Sequence, residues 1–127
     1  MLASKKWNVL FIEDKTSVFN SNTETFNELF NKVDKVQDSE KALELIDSKH
    51  YDILICDLSF EFVDRIKILK LMKHRKPKIA YFALVTENNS DKIFGVADQG
   101  IHVFELEPSQ FDLALEEISR FNLYVKK

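Results

Sequence analysis

The chain has 127 residues, 45% of them hydrophobic and 31% charged, which is typical of one soluble globular domain covering residues 1–127. Its net charge of −3 gives no general attraction for nucleic acid or an anionic membrane, and no apolar run is long enough to span a bilayer. The single cysteine, Cys56, excludes an internal disulfide framework. Because the start also lacks a signal-peptide core, we expect a cytoplasmic protein.

Apolar, β-rich runs alternate along the chain with segments of helical periodicity. The predicted elements are strand 7–12, helix 15–30, strand 33–36, a helix capped by Asp38, strand 52–57 and a helix from Val63 to the basic segment 73–76. They continue with strand 78–85, helix 91–99, strand 101–106 and a final helix opened by Pro108 and Ser109. The apolar face of the final helix is expected to consist of Phe111, Leu113–Leu115, Ile118 and Phe121–Leu123. Gly100 follows the predicted helix 91–99 at a position that favours a left-handed backbone. The order is therefore a strand followed by a helix, repeated five times.

Alternating units of this kind predict a parallel sheet with helices on both faces and right-handed crossovers. The first, third and fourth predicted strands are the most apolar, so we expect them inside the sheet. The second and fifth are more polar and are expected at the edges. The resulting fold is α/β, a (βα)5 doubly wound, flavodoxin-like sheet with the strand order 2-1-3-4-5.

Three acids follow two of the interior strands. Asp57 ends the apolar run 53–56, while Glu13 and Asp14 follow the first strand. Both strand ends border the switch point of the predicted sheet, so we expect the three carboxylates to meet in a solvent-open crevice. An all-oxygen pocket suits Mg²⁺, and Asp57 could then attack a phosphoryl group. Two other interpretations stay open: Asp57 could simply begin a turn, and Glu13 and Asp14 could begin the first helix.

Several short motifs occur in order along nearly the whole chain. They are the pair Glu13-Asp14, Asp57-Leu58 with Asp64 seven residues beyond Asp57, Leu84-Val85-Thr86, Ala97, Gly100, Phe104, and Pro108 followed by Phe111. In this order and context the chain resembles the response-regulator receiver domains of two-component signalling, the family that includes the single-domain chemotaxis regulators.

The resemblance implies a role for each matching residue. Mg²⁺ would be held by Glu13, Asp14, Asp57 and the main-chain carbonyl of Ser59. Asp57 would accept the phosphoryl group from a phosphohistidine donor, and the Thr86 hydroxyl would then donate to it. Phe104 would be the aromatic residue that turns inward when Thr86 moves. Alternatively, Thr86 is an ordinary strand-end residue and Phe104 a permanent core ring.

The resemblance also implies partners. The donor would be a sensor histidine kinase or a phosphotransfer protein. An output domain or target protein would bind a surface formed by the predicted helix 91–99, the fifth strand and the final helix. A homodimer is an alternative assembly. Direct contacts with nucleic acid or membrane are not expected. The domain would not be an enzyme beyond self-phosphorylation and self-dephosphorylation.

One position departs from the family pattern. The family has a lysine before the proline after the fifth strand, whereas here Glu107 precedes Pro108, and residues 100–111 contain no Lys or Arg. If Glu107 pointed inward, it could change the charge balance by several kcal/mol, since a pair at about 4 Å is worth roughly 4 kcal/mol. If it rotated into solvent, it would do little. Lys15 and Arg65 are the nearby cations that could substitute.

The loop after Asp57 also departs from the family pattern, because Glu61 and Arg65 stand where the family has a proline and a glycine. A second hypothesis follows, in which the chain is a pseudo-receiver that binds proteins independently of phosphorylation. A metal-dependent hydrolase is disfavoured, since no positioned base or phosphate-binding loop is present. The three histidines show no ligand-like spacing.

Overall fold

The computed structural model describes residues 7–13, 23–57, 62–85, 100–105 and 107–120. The elements are β1 (Asn8–Ile12), α1 (Thr23–Leu29), β2 (Lys32–Val36), α2 (Ser39–Ser48), β3 (Ile53–Asp57), α3 (Phe62–Arg75), β4 (Ala80–Val85), β5 (His102–Glu105), a 3₁₀ turn (Pro108–Gln110) and α4 (Phe111–Ser119). The predicted helix 91–99 and the predicted start of the first helix lie outside these ranges. Within them, no helix has the length and apolar character needed to cross a membrane.

The five strands form one parallel sheet in the order β2-β1-β3-β4-β5, which confirms the predicted topology. All five residues of β3 are buried, whereas those of β2 are half-buried or exposed. This difference follows from position, since a central parallel strand is covered on both faces and on both sides. β1 and β3 are direct neighbours, with Ile12 paired to Cys56.

Side-chain alternation divides the core into two layers. On β1, Leu10 and Ile12 belong to the layer that contains Ala42 of α2 and Leu69 of α3. The intervening residues Val9 and Phe11 belong to the layer packed against α1 and α4. Residues on a strand point alternately to opposite faces, so these two sets show that the helices cover both sides of the sheet.

The second layer is dominated by aromatic rings. The centroid of Phe26 on α1 lies 5.1 Å from that of Phe11 and 5.9 Å from that of Phe111 on α4. Phe11 and Phe111 are themselves 6.0 Å apart, so one ring from each of three elements meets at this point. The cluster fixes α1 and α4 against the end of β1 that leads to Glu13.

Two local features predicted from the sequence are confirmed, and one predicted strand begins later than expected. The Oδ1 atom of Asp38 accepts the backbone N–H of Glu40 at 2.9 Å, which confirms the predicted cap of α2. Gly100 has φ +81, the left-handed backbone expected there. The predicted strand 78–85 begins two residues later, at Ala80, because Pro77 and Lys78 form a turn after α3.

Two polar contacts of Asp34 link the edge strand β2 to the residues that precede β3. Asp34 Oδ2 accepts hydrogen bonds from Lys49 Nζ at 2.7 Å and from the Tyr51 hydroxyl at 2.6 Å. These two bonds hold the pKa of Asp34 below its ordinary value of 3.8. Burial and the same contact raise the pKa of Tyr51.

We expect Tyr51→Phe to lower the free energy of unfolding by about 1–2 kcal/mol, because it removes a hydrogen bond to a charged acceptor. The contact needs Asp34 ionised, and its folded-state pKa lies below the unfolded value. The stabilisation is therefore complete above about pH 4 and is lost as the pH falls further. Urea unfolding of both proteins at neutral and acidic pH measures this, and a difference that does not shrink in acid would contradict it.

Candidate functional site at the carboxyl edge of the sheet

Asp57 is the last residue of β3 and lies between two neighbouring strands. Its Cα is paired with Leu84 of β4, and the preceding Cys56 is paired with Ile12 of β1. The residue is 0% exposed. The expectation that Asp57 faces a solvent-open crevice is therefore wrong, because Asp57 still belongs to the strand rather than to the loop after it.

Asp57 differs from the other described acids in its burial. Among the described residues, it is the only charged residue that is fully buried; the other buried polar residue is Ser119. Acids are almost never buried without hydrogen bonds, a counter-charge or a metal, because removing a carboxylate from water is costly. Asp57 interacts with other residues of the domain, and its place at the end of a central strand makes it a candidate functional residue.

Glu13 lies close to the end of β3 along the carboxyl edge of the sheet. It directly follows β1, and its backbone N–H donates to the Val36 carbonyl at 2.8 Å, within the pairing of Ile12 with Val36. Ile12 and Cys56 are the last residues paired between β1 and β3, and Glu13 and Asp57 each come directly after that pair. By alternation along β3, Asp57 falls on the face that carries α1 and α4.

These two carboxylates suit a hard cation. Mg²⁺ takes oxygen ligands, keeps several waters, and is usually held by only one or two protein carboxylates. Within the described ranges, no group of three or more His, Cys, Asp or Glu side chains is placed to hold a metal ion. Two predicted ligands, Asp14 and Ser59, lie outside those ranges. The donors described at this edge are thus Glu13, half-exposed, and Asp57, fully buried.

Phe104 lies on β5 in a half-buried position. Its ring packs edge-on against Phe82 of β4, with centroids 5.9 Å apart. It also lines a hollow of about 220 Å³ together with Leu113 and Ala114 of α4. A ring that is partly packed beside open volume has room to change its position. Thr86, its predicted trigger, lies outside the described residues.

Glu107 takes the second of its two predicted orientations. The residue is exposed, its N–H donates to Gln110 Oε1 at 2.8 Å, and its carbonyl accepts the Gln110 N–H at 2.8 Å. This reciprocal pair resembles a capping box and begins the turn that leads into α4. An exposed carboxylate is screened by water, so the large repulsion considered above does not arise. Lys15 and the side chain of Arg65 lie outside the described part of the chain.

Comparison with known families identifies the chain. Residues 9–118 match the family model of the response regulator receiver domain. The chain belongs to this family. No curated protein sequence is significantly similar to this receiver domain.

Solved structures share the receiver fold. The isolated REC domain of RcsB from Salmonella enterica serovar Typhimurium has a TM-score of 0.71 at 22% identity, with 91% of this chain and 89% of that chain covered. A response regulator receiver domain protein from Clostridium thermocellum gives a TM-score of 0.70 at 15% identity, with coverage of 88% and 93%. A longer RcsB structure from Salmonella typhimurium has a TM-score of 0.72 at 21% identity; 89% of this chain is covered, but only 57% of that one.

One residue of α4 in this receiver domain, Leu113, is exposed although it was predicted to be buried. We predicted that Leu113 belongs to the apolar face of the last helix, but Leu113 is 60% exposed. The buried residues of α4 are Phe111, Ala114, Leu115, Ile118 and Ser119. Helical spacing from Phe111 would have excluded Leu113, since residues two apart do not share a face. The exposed leucine instead borders the hollow beside Phe104.

Proposed function

We propose that this receiver domain accepts a phosphoryl group on Asp57 and uses it to change a protein-binding surface. One observation supports the proposal above all: the only fully buried charged residue described in the chain ends a central strand, next to the strand that leads to Glu13. A phosphohistidine donor would supply the group. A carboxylate oxygen of Asp57 would bond to phosphorus as the bond from phosphorus to the histidine nitrogen breaks.

Glu13 and Asp57, with Asp14 and the Ser59 carbonyl as predicted further ligands, would hold Mg²⁺, which would neutralise negative charge on the incoming group. The chain's own residues supply the rest. Pairing of Asp57 with Leu84 of β4, and of the preceding Cys56 with Ile12 of β1, would hold the backbone of Asp57 at a fixed position. We propose no catalytic activity beyond self-phosphorylation and self-dephosphorylation.

The proposed readout runs through Thr86 to Phe104. Movement of the Phe104 ring would alter the hollow that it lines with Leu113, and therefore the surface shared by β5 and α4. A sensor kinase or phosphotransfer protein would be the upstream partner, and an output domain or target protein would bind this surface. Residues 1–127 would form one signalling domain that meets these partners in the cytoplasm.

A phosphorylation-independent binding module is the second candidate. Glu107 favours it, since this residue is exposed and its carboxylate carries the wrong charge to pair with a phosphoryl group. An acyl phosphate here would lack the cation that the family places before the proline. The two candidates differ in whether Asp57 reacts at all.

Intact mass spectrometry after incubation with acetyl phosphate tests the proposal. We expect a gain of one phosphate with Mg²⁺ present and none when the metal is removed by a chelator. Absence of any gain in both samples, with the protein folded by circular dichroism, would favour the phosphorylation-independent module.

A further inference from the structure

Positive charge is concentrated in one segment of this acidic protein. Residues 65–78 contain seven Lys or Arg and no Asp or Glu. Since the whole chain has a net charge of −3, the segment at +7 leaves −10 on the remaining residues. A separation of this size creates a strong local field that the net charge conceals.

The segment forms an exposed basic strip on the outer face of α3. Lys67, Lys70, His74 and Arg75 are all exposed, and Leu71 between them is 42% exposed. At 1.5 Å per residue, the strip runs for about 12 Å along the helix from Lys67 to Arg75. Leu71 is one of two large exposed hydrophobic residues in the described part of the chain. The strip therefore offers an apolar contact surrounded by positive charge.

The strip leads into a cleft at the amino edge of the sheet, the edge opposite Asp57. The cleft has a volume of about 770 Å³ and lies where α2 and α3 end. Its lining includes three buried residues, Ile46, Tyr51 and Ile79, which are 2%, 5% and 8% exposed. Lysines line it as well, namely Lys49, Lys76 and Lys78.

Only part of this charge is paired with acids among the residues that the structure describes. Lys49 pairs with Asp34 at 2.7 Å, and Arg75 pairs with Asp47 at 3.1 Å. By contrast, Lys67, Lys70, Lys76 and Lys78 form no ion pair with another described residue.

The helix macrodipole explains only the cations in the last turn of α3, which are Lys73, His74 and Arg75. Lys67 and Lys70 lie earlier in the helix, and Lys76 and Lys78 lie beyond it. The macrodipole therefore does not account for these four lysines.

We propose that the basic strip and the cleft together bind an acidic segment of a partner protein, rich in Glu or Asp and carrying an apolar side chain. Carboxylates would pair with the four lysines, while the apolar side chain would contact Leu71 or enter the cleft. The length of the strip favours an extended ligand over a small molecule. Nucleic acid is disfavoured, because a duplex carries one charge per about 1.7 Å and would also meet the −10 on the other residues.

Fluorescence anisotropy with a labelled peptide of alternating Glu and Leu residues tests the proposal. We expect binding that weakens as salt is added, and little binding of the same peptide with Gln in place of Glu. The double variant Lys76→Glu, Lys78→Glu should weaken binding at least about tenfold, or 1.4 kcal/mol. Leu71→Ala should weaken it to a smaller extent.

A matched control separates the local surface from net charge. The double variant Lys41→Glu, Arg120→Glu changes the net charge equally at two exposed positions outside the strip and the cleft lining, and it should bind as the parent does. Equal weakening by both variants would overturn the proposal, as would equal binding of the Gln peptide or tighter binding of duplex DNA. If the first variant fails to fold, Lys67→Glu, Lys70→Glu replaces it.

Discussion

Asp57→Asn is expected to abolish phosphate incorporation from acetyl phosphate and Mg²⁺. The asparagine side chain has nearly the same shape, but its amide oxygen is a poor nucleophile and carries no charge for a cation. Because Asp57 is fully buried beside the strand that leads to Glu13, removing its charge should leave the fold intact or stabilise it when no metal is present. Intact mass and thermal unfolding of the variant measure the two effects.

The control is Asp112→Asn, which removes an exposed acid from the first turn of α4 and should leave phosphate incorporation unchanged. Incorporation that persists in Asp57→Asn would place the acceptor on another residue. Loss in both variants would indicate that the reaction responds to net charge rather than to Asp57. Either result would remove the basis for the proposed switch.

Phe26→Ala is expected to lower the free energy of unfolding by about 3–5 kcal/mol. Phe26 is 0% exposed and its ring lies within 5.1 Å of Phe11 and 5.9 Å of Phe111, so its loss opens a cavity where α1, β1 and α4 meet. A typical domain is stable by only about 5–15 kcal/mol, and the variant should therefore unfold at a much lower urea concentration.

Two further variants calibrate this effect. Phe26→Leu should cost less, because a smaller cavity remains. Leu113→Ala should change stability by no more than about 0.5 kcal/mol, since Leu113 is 60% exposed. A large loss in Leu113→Ala would contradict the assignment of Leu113 to the surface of α4, and no loss in Phe26→Ala would contradict the assignment of Phe26 to the core.

Local patterns carried most of the information on the fold. The apolar runs of β1, β3 and β4, and the more polar β2 and β5, led directly to the observed strand order. This worked because burial on both faces leaves a continuous apolar run that differs from an edge strand even in a single sequence. Leu113 shows the limit, since a helix presents several faces and the one that is covered depends on its neighbours.

The positions of Glu13 and Asp57 at neighbouring strand ends were predictable from the sequence, but the burial of Asp57 was not. Glu13 and Asp57 were placed at adjacent strand ends because parallel strands direct their carboxyl ends to one edge of the sheet. The burial of Asp57 was not predictable, since it depends on which residues pack around the end of β3. The exposure of Glu107 was also undecided, because it depends on how the turn that contains Gln110 folds.

By itself, the sequence determined the fold class, the strand order and the family. These features follow from the type and spacing of the residues, because local structural preferences depend on only a few neighbouring residues. Only the tertiary structure decided which carboxylate is withdrawn from water, and that Lys49 after α2 lines one cleft together with Lys76 and Lys78 after α3. Each of these depends on residues distant in sequence, whose approach is fixed by packing rather than by any local preference.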